Sequence, residues 1–279
     1  MNNMIINSSN NNFLFVKKIY NKNKEKNKEK NKEKNKFIIF NYLIKIQYPL
    51  KNYYNSIIPL NIYQTWHTKN LPVNMKKNVE KIILNNPVFN YELYDDDDCR
   101  NFIKTNFDNK VLNAFDSLIP GAYKADLWRY CILYKNGGIY LDIKYESVNE
   151  FKFINLTEKE HWVLDIDKYG IYNALMVCKP NNQILFKAIN KIVENVKNKF
   201  YGILPLAPTG PYMLSKFFTE TEKKSFDMKH DIYSSVKNRF IFFNNYIIFK
   251  SYNNYLEEHD KNKKVSHYAD LWKQRKIYK

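Results

Sequence analysis

No apolar run in this 279-residue chain is long enough to cross a bilayer. The longest candidate, FIIFNYLIKI from Phe37 to Ile46, is about half the length a membrane helix needs and is interrupted by Asn41 and Lys45. The opening residues lack the basic start and apolar core of a secretion signal. The expectation is therefore a cytoplasmic protein, soluble or peripherally associated with a membrane. Cysteine is nearly absent: Cys99, Cys131 and Cys178 are an odd number without metal-type spacing, which argues against a disulfide framework or a zinc cluster. Cys131 and Cys178 sit in apolar runs and read as core thiols in a reducing compartment. Glycine is scarce (6) beside tyrosine (23) and phenylalanine (19), a bias that an AT-rich coding sequence explains without a functional reading. There is no internal repeat. The sequons at Asn7 and Asn155 carry weight only in a secretory lumen.

What is abundant is positive charge, a net +17. Ten lysines against three glutamates lie between Lys17 and Lys36, so seven of the seventeen net charges are local to a tract built on three N-K-E-K copies. Such a tract has too little apolar content to fold alone, and residues 1–53 read as a low-complexity, largely disordered leader through which a membrane surface is reachable. The charge that remains suits a diphosphate, an anionic glycan or a membrane. A nucleic-acid partner is not expected, because the basic run lacks interleaved aromatics and no nucleic-acid fold motif is present. Residues 54–279 read as one domain.

Within that domain IIPLNIYQTWH suggests a strand that empties into a loop, Asn74 to Pro87 has helical spacing ended by Asn-Asn-Pro, and NYELYDDDD alternates as a second strand. The acids Asp95 to Asp98 read as a helix start with one of them capping, rather than a metal site. A further helical pattern runs around Ile189 to Asn198, and RFIFFNNYIIFKSYNNY reads as a hairpin turning on Asn-Asn. Helix and strand alternate as in a doubly wound α/β sheet. Trp66 and Trp128 read as packing residues, and His67 as a surface or satisfied histidine.

The densest stretch is GAYKADLWRYCILYKNGGIYLDIKYES, Gly121 to Ser147. Pro120 can start a helix, Gly137 and Gly138 can reverse the chain, and GIYLDI is apolar up to Asp142. A carboxylate at the carboxyl end of such a strand lies where α/β sheets bind ligands. Taken alone, Asp126 and Arg129 at i and i+3 resemble a surface ion pair.

With IYQTWH, YELYDDD, NALMVCKPNNQIL and PTGPYML around it, KADLWRYCILYKNGGIYLD resembles the retaining glycosyltransferases of family 32, whose fold is GT-A, a Rossmann-like mixed sheet flanked by helices. The resemblance covers about Ile57 to Leu214. It implies transfer of a sugar from a UDP- or GDP-sugar, with Mn2+ or Mg2+, to a glycan, glycoprotein or glycolipid acceptor, with retention. By that resemblance Gln64, Thr65 and Trp66 line the first nucleotide loop, while Asp126 and Arg129 reach nucleotide and sugar. Gly137 and Gly138 let the backbone pass near the donor, Asn173 and Ala174 border sugar and acceptor, and Thr209 and Gly210 lie on a later loop. Asp142 is the first acid of the D-x-D motif.

The second acid is missing; Lys144 stands in its place. Strand alternation would set Asp142, Lys144 and Glu146 on one face. Glu146 is then one candidate to restore a metal ligand, and the Lys144 ammonium another group able to neutralise diphosphate. Loss of catalysis is the third option, leaving a silent nucleotide-sugar or glycan binder. His267 is a candidate late metal ligand, and Asp165-Ile166-Asp167 is a literal D-x-D out of the family's place.

Overall fold

The computed structural model describes residues 43–233 and 238–279. Most of the expected leader lies outside them. Residues 43–53 do not behave as part of a leader: Tyr48 stacks on Phe243 at 5.1 Å and meets Phe151 and Tyr246 edge-on, and Leu43 and Ile44 pack on Val148 and Phe240. The end of the apolar run thus finds a surface to bury on, and the packed structure starts before the expected boundary at 54.

A first sheet has the order β2-β1-β3-β6. Its strands are β1 (Asn61–Thr65), β2 (Asn90–Tyr94), β3 (Gly138–Leu141) and β6 (Leu175–Cys178). β1 is parallel to both β2 and β3, and β6 closes the edge antiparallel to β3. The crossovers are α1 (Val73–Asn85), then α2 (Asp96–Asn106), α3 (Asn109–Ser117) and α4 (Gly121–Asn136). α5 (Gln183–Lys197), capped by the Asn182 side chain, packs on α4. Asp95 caps α2, forming a reciprocal box with Asp98.

β3 is apolar on both faces because both are covered. Tyr140 turns into a core with Trp128, Tyr130 and Leu133, while Ile139 and Leu141 turn into another with Phe153, Ile248 and Phe249. α4 is buried on nearly every side, with Leu127, Trp128, Cys131, Ile132 and Leu133 scarcely exposed. Each large side chain buried there contributes roughly 1.5–3 kcal/mol. That burial fixes the height of Asp126 and Arg129 against the sheet.

A single doubly wound sheet does not account for the whole chain. A second sheet, β4-β9-β8-β7-β5, covers the face of the first that helices would otherwise cover alone. It comprises β4 (Tyr145–Ser147), β5 (Val163–Leu164), β7 (Met228–Tyr233), β8 (Asn238–Phe243) and β9 (Tyr246–Ser251). β8 and β9 form the expected hairpin, with Asn244 and Asn245 both at positive φ (47° and 69°), as a tight right-twisted turn requires. α6 (Tyr255–Asn262) and α7 (Tyr268–Lys273) follow. Among the described residues no helix is long and apolar enough to cross a membrane.

Gly137 and Gly138, at φ 63° and 109°, carry the reversal from α4 into β3. A side chain at Gly137 would meet Pro180 at 2.7 Å, and one at Gly138 the Asn61 carbonyl at 2.9 Å. The close approach that demands glycine is therefore to protein.

Candidate active site

Asp142 leaves the end of β3 at the carboxyl edge of the parallel strands, its amide held by the Ala174 carbonyl at 2.7 Å. One carboxylate oxygen, Oδ1, accepts from Arg129 Nη1 at 3.1 Å and the Tyr140 hydroxyl at 2.7 Å. The other, Oδ2, faces Lys144 Nζ at 2.5 Å. Arg129 is fixed further by donating to the Ala125 and Asn173 carbonyls and by lying 4.3 Å over the Tyr140 ring. Asp126, one turn earlier on α4, completes an ion pair with Arg129 at 3.4 Å and accepts from Asn173 Nδ2 at 2.9 Å and Thr209 Oγ1 at 2.7 Å. The i, i+3 pair that resembles surface decoration is thus the buried centre of a network. The side chains of Asp142 and Lys144 keep 21% and 16% exposure, against 7% for Arg129, so the first two are the groups best able to meet a ligand.

The other expected residues are distributed unevenly. Gln64 is fully buried, donating to the Leu141 carbonyl and accepting from Tyr91, and Thr65 donates to the Tyr94 carbonyl. Both tie β1 to its neighbours. Trp66 packs on His67 and His259, and Trp128 on Tyr94 and Tyr140. Asn173, Thr209 and Gly210 gather around Asp126; a side chain at Gly210 would reach its Oδ2. His267 caps α7 from an exposed position.

The expected common face for Asp142, Lys144 and Glu146 does not form. Ile143 and Lys144 make a turn, a new strand starts at Tyr145, and Glu146 pairs with Lys250 at 3.1 Å. Among the described residues no three His, Cys, Asp or Glu side chains are gathered to share a metal ion. The donor set does not fit a divalent cation at Asp142: both carboxylate oxygens are engaged by cations, and an ammonium fills the place of the second acid. The literal D-x-D serves otherwise, with Asp165 bonded to His230 at 2.8 Å and Asp167 bonded to Tyr212.

Electrostatics follow this packing. Burial raises the Asp142 carboxyl, but Lys144 and Arg129 outweigh it and hold the group below its ordinary value of 3.8. Burial likewise works against the Lys144 ammonium, yet Asp142 carries it above its ordinary value. Asp126, whose burial dominates over Arg129, is raised. A depressed carboxyl binds fewer protons folded than unfolded. The Asp142 contribution to stability is therefore present above about pH 4 and lost as pH falls through the depressed value. In thermal unfolding from pH 7 to pH 2, the Tm gap between wild type and Asp142→Asn is expected to narrow below about pH 4; a constant gap would contradict the charge assignment.

Several side chains at the site were not legible as such in the sequence. Tyr172 stacks on His230 at 3.8 Å, bonds the Tyr145 hydroxyl at 2.7 Å and lies 5.5 Å from Lys144 Nζ. Tyr255 of α6 and Tyr268 of α7 feel the charges of Lys144 and Arg239 from the far side. The C-terminal third therefore contributes residues within electrostatic range of the site.

Comparison with known proteins adds a family likeness to this geometry. A family model described as the glycosyltransferase sugar-binding region containing the DXD motif matches residues 72–163, from the foot of α1 through Asp142 and Lys144 to β5. Over that third of the chain the sequence is similar to the DXD-motif sugar-transferase family. The chain is also similar to inositol phosphoceramide mannosyltransferase 2 of Schizosaccharomyces pombe, 29% identical over 182 residues, or 65% of this chain and 52% of that one. An uncharacterized glycosyltransferase of Acanthamoeba polyphaga mimivirus is 39% identical over 89 residues, 31% of this chain and 36% of that one. Among solved structures, PaToxG glycosyltransferase aligns with a TM-score of 0.45 and 20% identity over 66% of this chain and 75% of that one. The chain spans about half the length, or less, of these two curated relatives. The DXD family implies a nucleotide-sugar donor and typically a divalent metal. This chain departs from that pattern at the second acid, where Lys144 stands.

Proposed function

We propose that the chain is a nucleotide-sugar-dependent glycosyltransferase that moves a hexose from a UDP- or GDP-sugar to a glycan or glycoconjugate, with retention. The observation that carries this reading is Asp142 at the carboxyl end of β3, holding Arg129 and Lys144 together where parallel sheets bind ligands. Breaking the bond from anomeric carbon to phosphate oxygen sends its electron pair to the diphosphate and leaves the sugar electron-poor. Cations fixed where that negative charge grows stabilise the transition state most. Lys144 supplies the charge that a metal supplies in two-acid members, and Arg129 reinforces it through Asp142. Asp126 and Asp142 both have their oxygens engaged, which disfavours a carboxylate nucleophile. The acceptor hydroxyl then attacks from the face of the departing phosphate and gives its proton to that leaving group.

The relative's name makes a phosphoinositol-bearing ceramide the first acceptor to try, and the remaining basic surface is suited to an anionic membrane on which such a lipid sits. The test is transfer from a panel of UDP- and GDP-sugars to lipid and oligosaccharide acceptors, with binding measured in parallel. Turnover with at least one pair is expected. Saturable donor binding without turnover across the panel would instead establish the silent binder.

A further inference from the structure

Arg239 is a cation with no counterpart in the site derived above, and it lies outside the region matched by the family model. Sheet register brings it there. Tyr145 of β4 pairs with Ser251 of β9, and the amide of Arg239 on β8 donates to Ser251 Oγ at 3.1 Å. Residues opposite one another across a sheet share a face, so Arg239 and Tyr145 project from the same side. Glu146 and Lys250, one step along, occupy the other side and satisfy each other. The charge of Arg239 reaches Tyr172 and Tyr145, whose hydroxyls bond each other at 2.7 Å, while Lys144 Nζ lies 5.3 Å and 5.5 Å from the two rings. Among the described residues, Arg129 and Lys144 are matched by Asp126 and Asp142, whereas no carboxylate is paired with Arg239. Arg239 is exposed as a residue, and Lys144 beside the same rings is half-buried, so both cations are within reach of a ligand.

We propose that Arg239 and Lys144, on either side of the Tyr145–Tyr172 pair, form a phosphate-binding subsite whose ligand is a phosphate or diphosphate group. Arginine presents parallel donors to two phosphate oxygens and lysine a point charge to a third. This deepens the transferase reading and rests on it for the source of the phosphate, either the donor's diphosphate or a phosphodiester on the acceptor. The subsite itself does not require turnover.

The test is calorimetric titration of the full chain with inorganic pyrophosphate, then with a nucleoside diphosphate, its monophosphate and inositol phosphate. Arg239→Gln is expected to weaken pyrophosphate about tenfold, the loss of a charge-assisted contact. Arg239→Lys should fall between, and Lys250→Gln on the opposite face should match wild type. A selective loss for the nucleoside diphosphate assigns the subsite to the donor, and a loss for inositol phosphate assigns it to the acceptor. Unchanged affinities in both Arg239 variants, with wild-type unfolding profiles, overturn the proposal, as does a wild type that binds none of the four. Pyrophosphate binding that depends on Arg239 in a chain that binds no sugar nucleotide would leave the subsite standing and sink the transferase reading instead.

Discussion

Asp142→Asn is expected to lower sugar transfer by about a thousandfold while the chain stays folded. The effect is large because one side chain does three things: it takes Arg129 and Tyr140 on one oxygen, Lys144 on the other, and sits at the carboxyl end of β3. Without the Asp142 charge, Lys144 loses its carboxylate partner and the buried Arg129 keeps only Asp126, against about 3–5 kcal/mol when a fully buried pair is broken. Stability should drop measurably too, so kcat and Tm must be read together. A variant that retains transfer within about threefold of wild type would show that the Asp142 network is structural only.

Lys144 carries the second large effect. Lys144→Met keeps the length of the side chain and its packing on Tyr145 and Tyr172 but removes the charge, and should reduce kcat by about a hundredfold or more. Lys144→Asp restores the two-acid motif and places two carboxylates side by side, which raises the pKa of one of them in the absence of a cation. That variant should melt at a lower temperature than wild type, and added Mn2+ should raise its Tm while leaving the wild-type Tm unchanged. Equal responses of the two proteins to Mn2+ would contradict the assignment of Lys144 to the cation's place.

The sequence exposes the part of this site that is local in the chain. Gly121 to Asp142 is one continuous helix–reversal–strand unit, so spacing predicts the helix, the reversal and Asp142 at the strand end, while the resemblance, and not the i, i+3 spacing of Asp126 and Arg129, brings those two to the site. The Asn-Asn hairpin and the Asp95 cap are legible for the same reason: the determining residues are neighbours. What pattern does not reveal is the turn at Ile143–Lys144. Alternation continues through it on paper, while in the fold Tyr145 leaves β3 to pair with β9, and Glu146 goes with it to Lys250. Long-range partners are equally hidden. Gln64 and Asn173 read as ligand-facing by resemblance, but their amides are consumed by Leu141, Tyr91, Asp126 and Tyr130. Arg239 and His230 reach the site only through strand register more than sixty residues downstream of Asp165, a placement that no local spacing encodes.

The central claim is that an ammonium does here what a divalent ion does in two-acid relatives. The most direct measurement is transfer by the wild-type chain after exhaustive chelation, compared with the same protein resupplied with Mn2+ or Mg2+. Rates that agree within about twofold are the predicted result. A rate that disappears on chelation and returns with the metal would contradict the account and send the search for the ligands back to the residues around Asp142.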